Sequence, residues 1–169
     1  QGLTGSANGG QVAVDGGVVL AGTSIGAGEF YLQASAVAIE YPRGLRSEVD
    51  ALLTYNISGA TPTLSGDVRV QRSAFTDAIS LAALARANAA VVVRPATGPS
   101  ALDAMRLNVS VTTVDDVRVD NNYGRFEGGA QLRVVGTVAQ PGMSGRVTLR
   151  EGGTLFAAGR RFTLTRGTI

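Results

Sequence analysis

The sequence predicts an all-β fold: a wide antiparallel sheet, apolar on one face and solvated on the other. Three observations predict it. Apolar and polar residues alternate with a period of two in stretch after stretch of the 169 residues. Clusters of Gly, Pro, Asn and Asp fall between these stretches, where reversals need them. Glycine is abundant at 23 residues and aromatics are scarce at 5%, a balance that suits strands joined by tight turns.

The strands follow in order. In "LRSEVDALLTYNI", Leu45, Val49, Ala51, Leu53, Tyr55 and Ile57 share a face against Arg46, Glu48, Asp50, Thr54 and Asn56, with only Leu52 out of step. "LSGDVRV" sets Leu64, Val68 and Val70 against Asp67 and Arg69. "LNVSVTTV" sets Leu107, Val109 and Val111 against Asn108, Ser110 and Thr112. In "RFEGGAQLRVVGTV", Phe126, Ala130, Leu132, Val134 and Val138 oppose Arg125, Glu127, Gln131, Arg133 and Thr137. Val147 and Leu149 repeat the pattern, as do Phe162 and Leu164 in the tail. One apolar and one wet face per strand is the mark of an antiparallel sheet solvated on one side. Turns are expected at Asp15 to Gly17, around Pro62, at Asp120 to Gly124 and around Pro141. Gly128-Gly129, inside a strand pattern, points to a bulge or a close backbone approach. About ten to thirteen strands result at ~5–6 residues each.

One stretch departs from the pattern. "FTDAISLAALARANAA" is rich in Ala and Leu behind Thr76 and Asp77, which predicts a short helix, followed by a loop at "RPATGPSA". This insert, about 74–101, either packs on one end of the sheet or plugs an opening; both readings stand.

There is also an internal repeat. Displaced by 79 places, Leu53 to Val70 lies over Leu132 to Leu149, so that Pro62 meets Pro141 and "LSGDVRV" meets "MSGRVTL". A weaker third copy, "LTG", starts at Leu3. A repeated strand–turn–strand unit implies similar units stacked along one axis, each covering its neighbour's edge.

What is missing narrows the function. The chain has no His and no Cys. The usual zinc sites and the Ser-His-Asp and Cys-His nucleophile systems are therefore excluded, and no cofactor is expected. The best carboxylate cluster is Asp115, Asp116, Asp120 and Glu127, and turn chemistry explains it without catalysis. "GTSIGAG" lacks the strand-to-helix transition that phosphate binding requires. All 15 basic residues are Arg, the net charge is +2, and the only basic pair is Arg160-Arg161, so no nucleic-acid partner is expected. No apolar run is long enough to span a bilayer as a helix.

A sheet of a dozen strands with one apolar face folds into a sandwich, closes as a barrel, or curves into a trough. Inward positions of small aliphatic residues favour a hollow, and a hollow without polar hooks suits an aliphatic guest at ~0.8 kcal/mol per buried methylene.

Two stretches carry a resemblance. Tyr41 to Val70 ("YPRGLRSEVDALLTYNISGATPTLSGDVRV") and Val117 to Ile169 ("DNNYG…LRVVGT…PGMSG…GRRF…RGTI") resemble the C-terminal region of the TamB family, over about half of the chain. The resemblance implies a fold, a curved antiparallel sheet forming a half-pipe, or β-taco, with an apolar interior. It implies a place, the periplasm, in a bacterial envelope protein anchored in the inner membrane. It implies partners too: phospholipid acyl chains carried between inner and outer membranes, and a TamA-like outer-membrane barrel serving autotransporter biogenesis. In such proteins the chain runs on past "RGTI", so residues 1–169 are expected to be one fragment of a longer groove domain. No catalytic residue is implied. What carries over is a face, the groove lining: Val49, Ala51, Leu53, Tyr55, Ile57, Leu132, Val134, Val147, Leu149, Phe156, Phe162 and Leu164. Leu64, Val68, Val70, Leu107, Val109 and Val111 join them by alternation. Scaffolding by pairing of strand edges is the alternative function, and a homodimer that covers the apolar face is the alternative to bound lipid.

Overall fold

The longest alternating stretch of the sequence forms the middle of the sheet. The computed structural model describes residues 2–22, 24–40, 44–58, 61–75, 103–114, 117–157, 159–165 and 167–168. Among them the chain is all-β, in twelve strands of one sheet. These are β1 (Leu3–Ala7), β2 (Gly10–Ala21), β3 (Ser24–Glu40), β4 (Leu45–Ser58), β5 (Thr63–Phe75) and β6 (Arg106–Thr113). They continue as β7 (Val117–Asn121), β8 (Gly124–Thr137), β9 (Pro141–Leu149), β10 (Thr154–Ala157), β11 (Arg160–Thr163) and β12 (Gly167–Thr168). The spatial order runs β1-β2-β3-β4-β5-β6-β8, with β9 along β8, β10 and β11 beside the start of β8, and β12 on β9.

Pairing is antiparallel except at β5, which runs parallel to β6 and to β7. The sheet is thus mostly antiparallel, as the sequence predicts, and the internal repeat explains the parallel meeting at β5. Val49 to Asn56 pair with Val70 to Thr63, and Gly128 to Val135 pair with Leu149 to Gly142. Every one of these pairs maps onto the other by 79 places. The match extends one strand further than the sequence disclosed: Leu32 pairs with Leu53 as Val111 pairs with Leu132, and Phe30 with Tyr55 as Val109 with Val134. The unit is thus three strands, β3-β4-β5, repeated as β6-β8-β9. A unit of three alternating strands begins and ends in the same direction. Two such units set side by side must meet in a parallel pair, and such a pair needs a long crossover rather than a hairpin. The segment 76–105 makes that connection. The helix expected at 74–101 lies, from residue 76 on, outside the described residues, while Ala74 and Phe75 end β5.

Two sequence expectations about glycine come out differently. The turn expected at Asp15 to Gly17 is absent: all three residues lie inside β2, paired with Tyr31, Phe30 and Glu29. Gly128 makes a close approach without a bulge, since its register with β9 is unbroken and a Cβ there would stand 2.5 Å from the Thr148 carbonyl oxygen. The turns at Asn122-Tyr123 and before Pro141 fall where the sequence puts them. In the weaker third copy, Gly5 faces open space, so that likeness ends with the letters.

The core is thin. Among the described strand residues the buried apolar side chains are Val37, Val49 and Ala51, and no large side chain is fully buried. Strands in extensive contact are all hydrogen-bonded neighbours, so among the described residues no strand packs extensively face to face on another. The described residues form one layer.

Candidate functional site

Paired residues in a β ladder point to the same side, so the registers assign every strand residue to a face. One row crosses eight strands as Leu3, Val14, Leu32, Leu53, Gly66, Val109, Val134 and Met143. The next row holds Gly5, Val12, Ala34, Ala51, Val68, Val111, Leu132 and Gly145. On the far side of the first row, Phe30, Tyr55, Leu64 and Leu107 stand in line, with the Phe30 and Tyr55 rings 6.3 Å apart. From β1 to β9 no Asp, Glu or Arg among the described strand residues lies on this face. All the strand carboxylates and guanidinium groups, from Asp15 to Arg146, fall on the other. The face is apolar and, apart from its three buried residues and a few buried glycines, half-buried or exposed.

The expected lining residues sort as follows. Val49, Ala51, Leu53, Tyr55, Ile57, Leu64, Val68, Val70, Leu107, Val109, Val111, Leu132, Val134, Val147 and Leu149 all lie on this one face. Phe162 pairs with Leu155, which pairs in turn with Gly124 of β8, so these continue the apolar side. Leu164 follows two residues on, its N–H donating to the Gly153 carbonyl at 2.7 Å. Phe156 is turned the other way: it pairs with Arg161, whose guanidinium carbon sits 5.7 Å from its ring centre. Leu155 holds the position that Phe156 was expected to hold.

The sequence reading missed the contribution of β2 and β3, namely Val12, Val14, Phe30, Leu32, Val37 and Ile39. The alternation is there but changes phase at Ala36, where β3 is bulged between Ala34 and Val37. Ala36 has φ +53°, a left-handed conformation costly to a residue with a Cβ. The bulge is pinned by Asp50, whose Oδ1 accepts the Ala36 N–H at 2.8 Å while Oδ2 accepts the Gln71 amide. The Ala36 N–H, and then the Gln71 amide, hold the Asp50 carboxyl below the usual carboxylate range.

The wet face carries ion pairs in a band. Glu40 meets Arg46 at 3.5 Å, Glu48 meets Arg72 at 3.0 Å, and Glu127 meets Arg118 at 2.9 Å and Arg150 at 3.5 Å. They flank a concavity of about 940 Å³ whose lining also takes in Ala38, Ile39, Ser47, Ser73 and Ala74. Of the carboxylate cluster, Asp120 is bound to Arg125 at 2.8 Å, and Asp115 and Asp116 lie outside the described residues. Tyr31 projects on this side, its hydroxyl hydrogen-bonded to Glu29 and its pKa raised chiefly by that bond.

A family model described as the TamB C-terminal domain matches residues 1–169, the whole sequence. The chain belongs to the TamB C-terminal domain family. The match supports a TamB-type bacterial envelope protein with a periplasmic region. No curated protein and no solved structure matches the chain significantly. The TamB match covers the segments 1–40 and 71–116 that the motif resemblance left out, so β1 and β2 fall within the same family match as the two repeated units.

Proposed function

We propose that the apolar face is the inner wall of a groove that binds acyl chains, and that the domain conducts phospholipids between the inner and outer membranes. One observation carries this reading: an uncharged apolar surface crosses the sheet from β1 to β9 with no protein layer on it among the described residues. A sheet face of that kind must be covered by something. Acyl chains suit it because the face is aliphatic, with few polar groups such as Ser47, Ser73 and Thr113 to fix an orientation. Movement then needs no chemistry, and the function is non-catalytic. The protein would be anchored in the inner membrane, with the groove crossing the periplasm.

Native mass spectrometry with lipid extraction tests the reading. Phospholipid retained by the purified chain in fixed stoichiometry, and lost in folded Leu53→Asp and Leu132→Asp variants, supports it. A folded chain that carries no lipid, or a homodimer that covers the face with a second copy, overturns it.

A second reading is favoured by a different observation. The outer sides of β1 and of most of β9 have no strand partner among the described residues. Free strand edges accept incoming strands, and a scaffold that pairs with a client or with a TamA-like barrel would use them.

A further inference from the structure

We infer that the strip of apolar face over β5 and β6 is a docking surface for the chain's own segment 76–102. This goes beyond the acyl-chain reading, since it names what lies on one strip of the face whatever the rest of that face binds.

Strand direction and chirality choose the side. The chain leaves β5 at Phe75, beside Val119, and enters β6 at Arg106, beside Thr63, so the connection returns along the length of β5 on one face or the other. The Pro62 carbonyl accepts the Arg106 N–H at 2.8 Å, and the Val70 carbonyl accepts the Val114 N–H at 2.9 Å. Leu64 and Val68 share that parity, so their backbone groups also point to β6. With β5 viewed running upward and β6 on its right, an L-residue whose N–H and C=O point right has its side chain toward the viewer. The viewer therefore faces the apolar side. A connection from β5 to a parallel strand on its right is right-handed only when it passes on the viewer's side, and about 98% of such crossovers are right-handed. The handedness that strand twist imposes sends the segment across the apolar face.

The composition of the segment suits that side. Residues 78–93 hold a single charge, Arg86, and 13 of these 16 residues are Ala, Val, Leu or Ile. On the wet face such a stretch would lie against Asp67 and Arg69; on the apolar face it meets Leu64, Val68, Leu107, Val109 and Val111. An apolar stretch of this length needs an apolar partner. Val49 and Ala51, on β4 beside the strip, are 7% and 9% exposed although no described strand packs extensively over them. The lengths agree as well. β5 has 13 residues, about 40 Å at ~3.3 Å each, and the 27 residues of 76–102 come to the same length even at ~1.5 Å each.

The chain has no Cys, so an Ala83→Cys variant takes one nitroxide label, and methyl NMR of the intact chain reads the face that the label approaches. Leu52 and Leu53 are adjacent residues on opposite faces, and Val135 and Val134 are a second such pair. The expected result is broadening of the Leu53, Val68, Val109 and Val134 methyl signals, with Leu52 and Val135 unaffected. A label at Ala89→Cys should act on the same face, and it keeps the test open if the first variant does not fold. Broadening of Leu52 and Val135 instead puts the segment on the wet side and overturns the inference. No broadening on either face overturns it too. Lipid content is read separately by extraction, so a chain that retains lipid without the expected broadening overturns the docking and leaves the acyl-chain reading standing.

Discussion

Gly66 stands so close to Leu53 that a Cβ at residue 66 would lie 2.9 Å from the Leu53 Cα and collide with the Leu52 carbonyl oxygen. The same relationship recurs between Gly145 and Leu132, at 2.7 Å, with φ +133° at Gly66 and +148° at Gly145. Backbone that close cannot yield as a flexible side chain would. Gly66→Ala and Gly145→Ala should therefore each destabilise the chain by about 1–3 kcal/mol, the cost of a strained backbone position. Gly5→Ala should stay within roughly 0.5 kcal/mol. Urea unfolding of the three variants compares them directly.

Ala36 offers the opposite case. Its φ of +53° suits glycine better than alanine. Ala36→Gly should raise stability by up to ~1 kcal/mol, read as a higher urea midpoint at unchanged slope. A drop would mean that the bulge is not held in the left-handed conformation.

Asp50, which holds that bulge, should give the chain an acid-sensitive element. Its folded pKa lies below its unfolded value of ~3.9. The stabilisation is present above the unfolded value and drains away as pH falls through the folded one. Asp50→Asn keeps an acceptor for the Ala36 N–H but cannot titrate. The urea midpoint of this variant should fall less steeply than that of the parent chain below about pH 4, the region of the unfolded carboxylate.

Leu52 and Leu53 are neighbours on opposite faces, and Leu52 is 61% exposed on the wet side. Leu52→Asp should leave both fold and lipid content unchanged, whereas Leu53→Asp should remove bound lipid. Lipid loss in both, or in neither, would show that the face does not decide binding.

The ion-pair band should matter little to stability. Glu48 and Arg72 meet at 3.0 Å, but the arginine side chain is 76% exposed. Arg72→Ala should cost no more than about 1 kcal/mol, and less in high salt. Thermal melts at low and high ionic strength check it.

For β4, β5, β6, β8 and β9 the sequence by itself determined which residues form the strands and which side chains share a face, because a period of two is written into neighbouring residues. It also disclosed half of the repeat, through Pro62 and Pro141 and the glycines that follow them. Three things were decided only in three dimensions. The phase change at Ala36 depends on Asp50, fourteen residues away, so β3 could not be assigned to one face from its own letters. Asp15 to Gly17 read as a turn because glycine serves turns and close strand approach alike, and only the partner Phe30 separates the two. The parallel meeting of β5 and β6, and with it one continuous uncharged face, follows from how two three-stranded units are set side by side. That is a matter of long-range pairing, which no local pattern encodes.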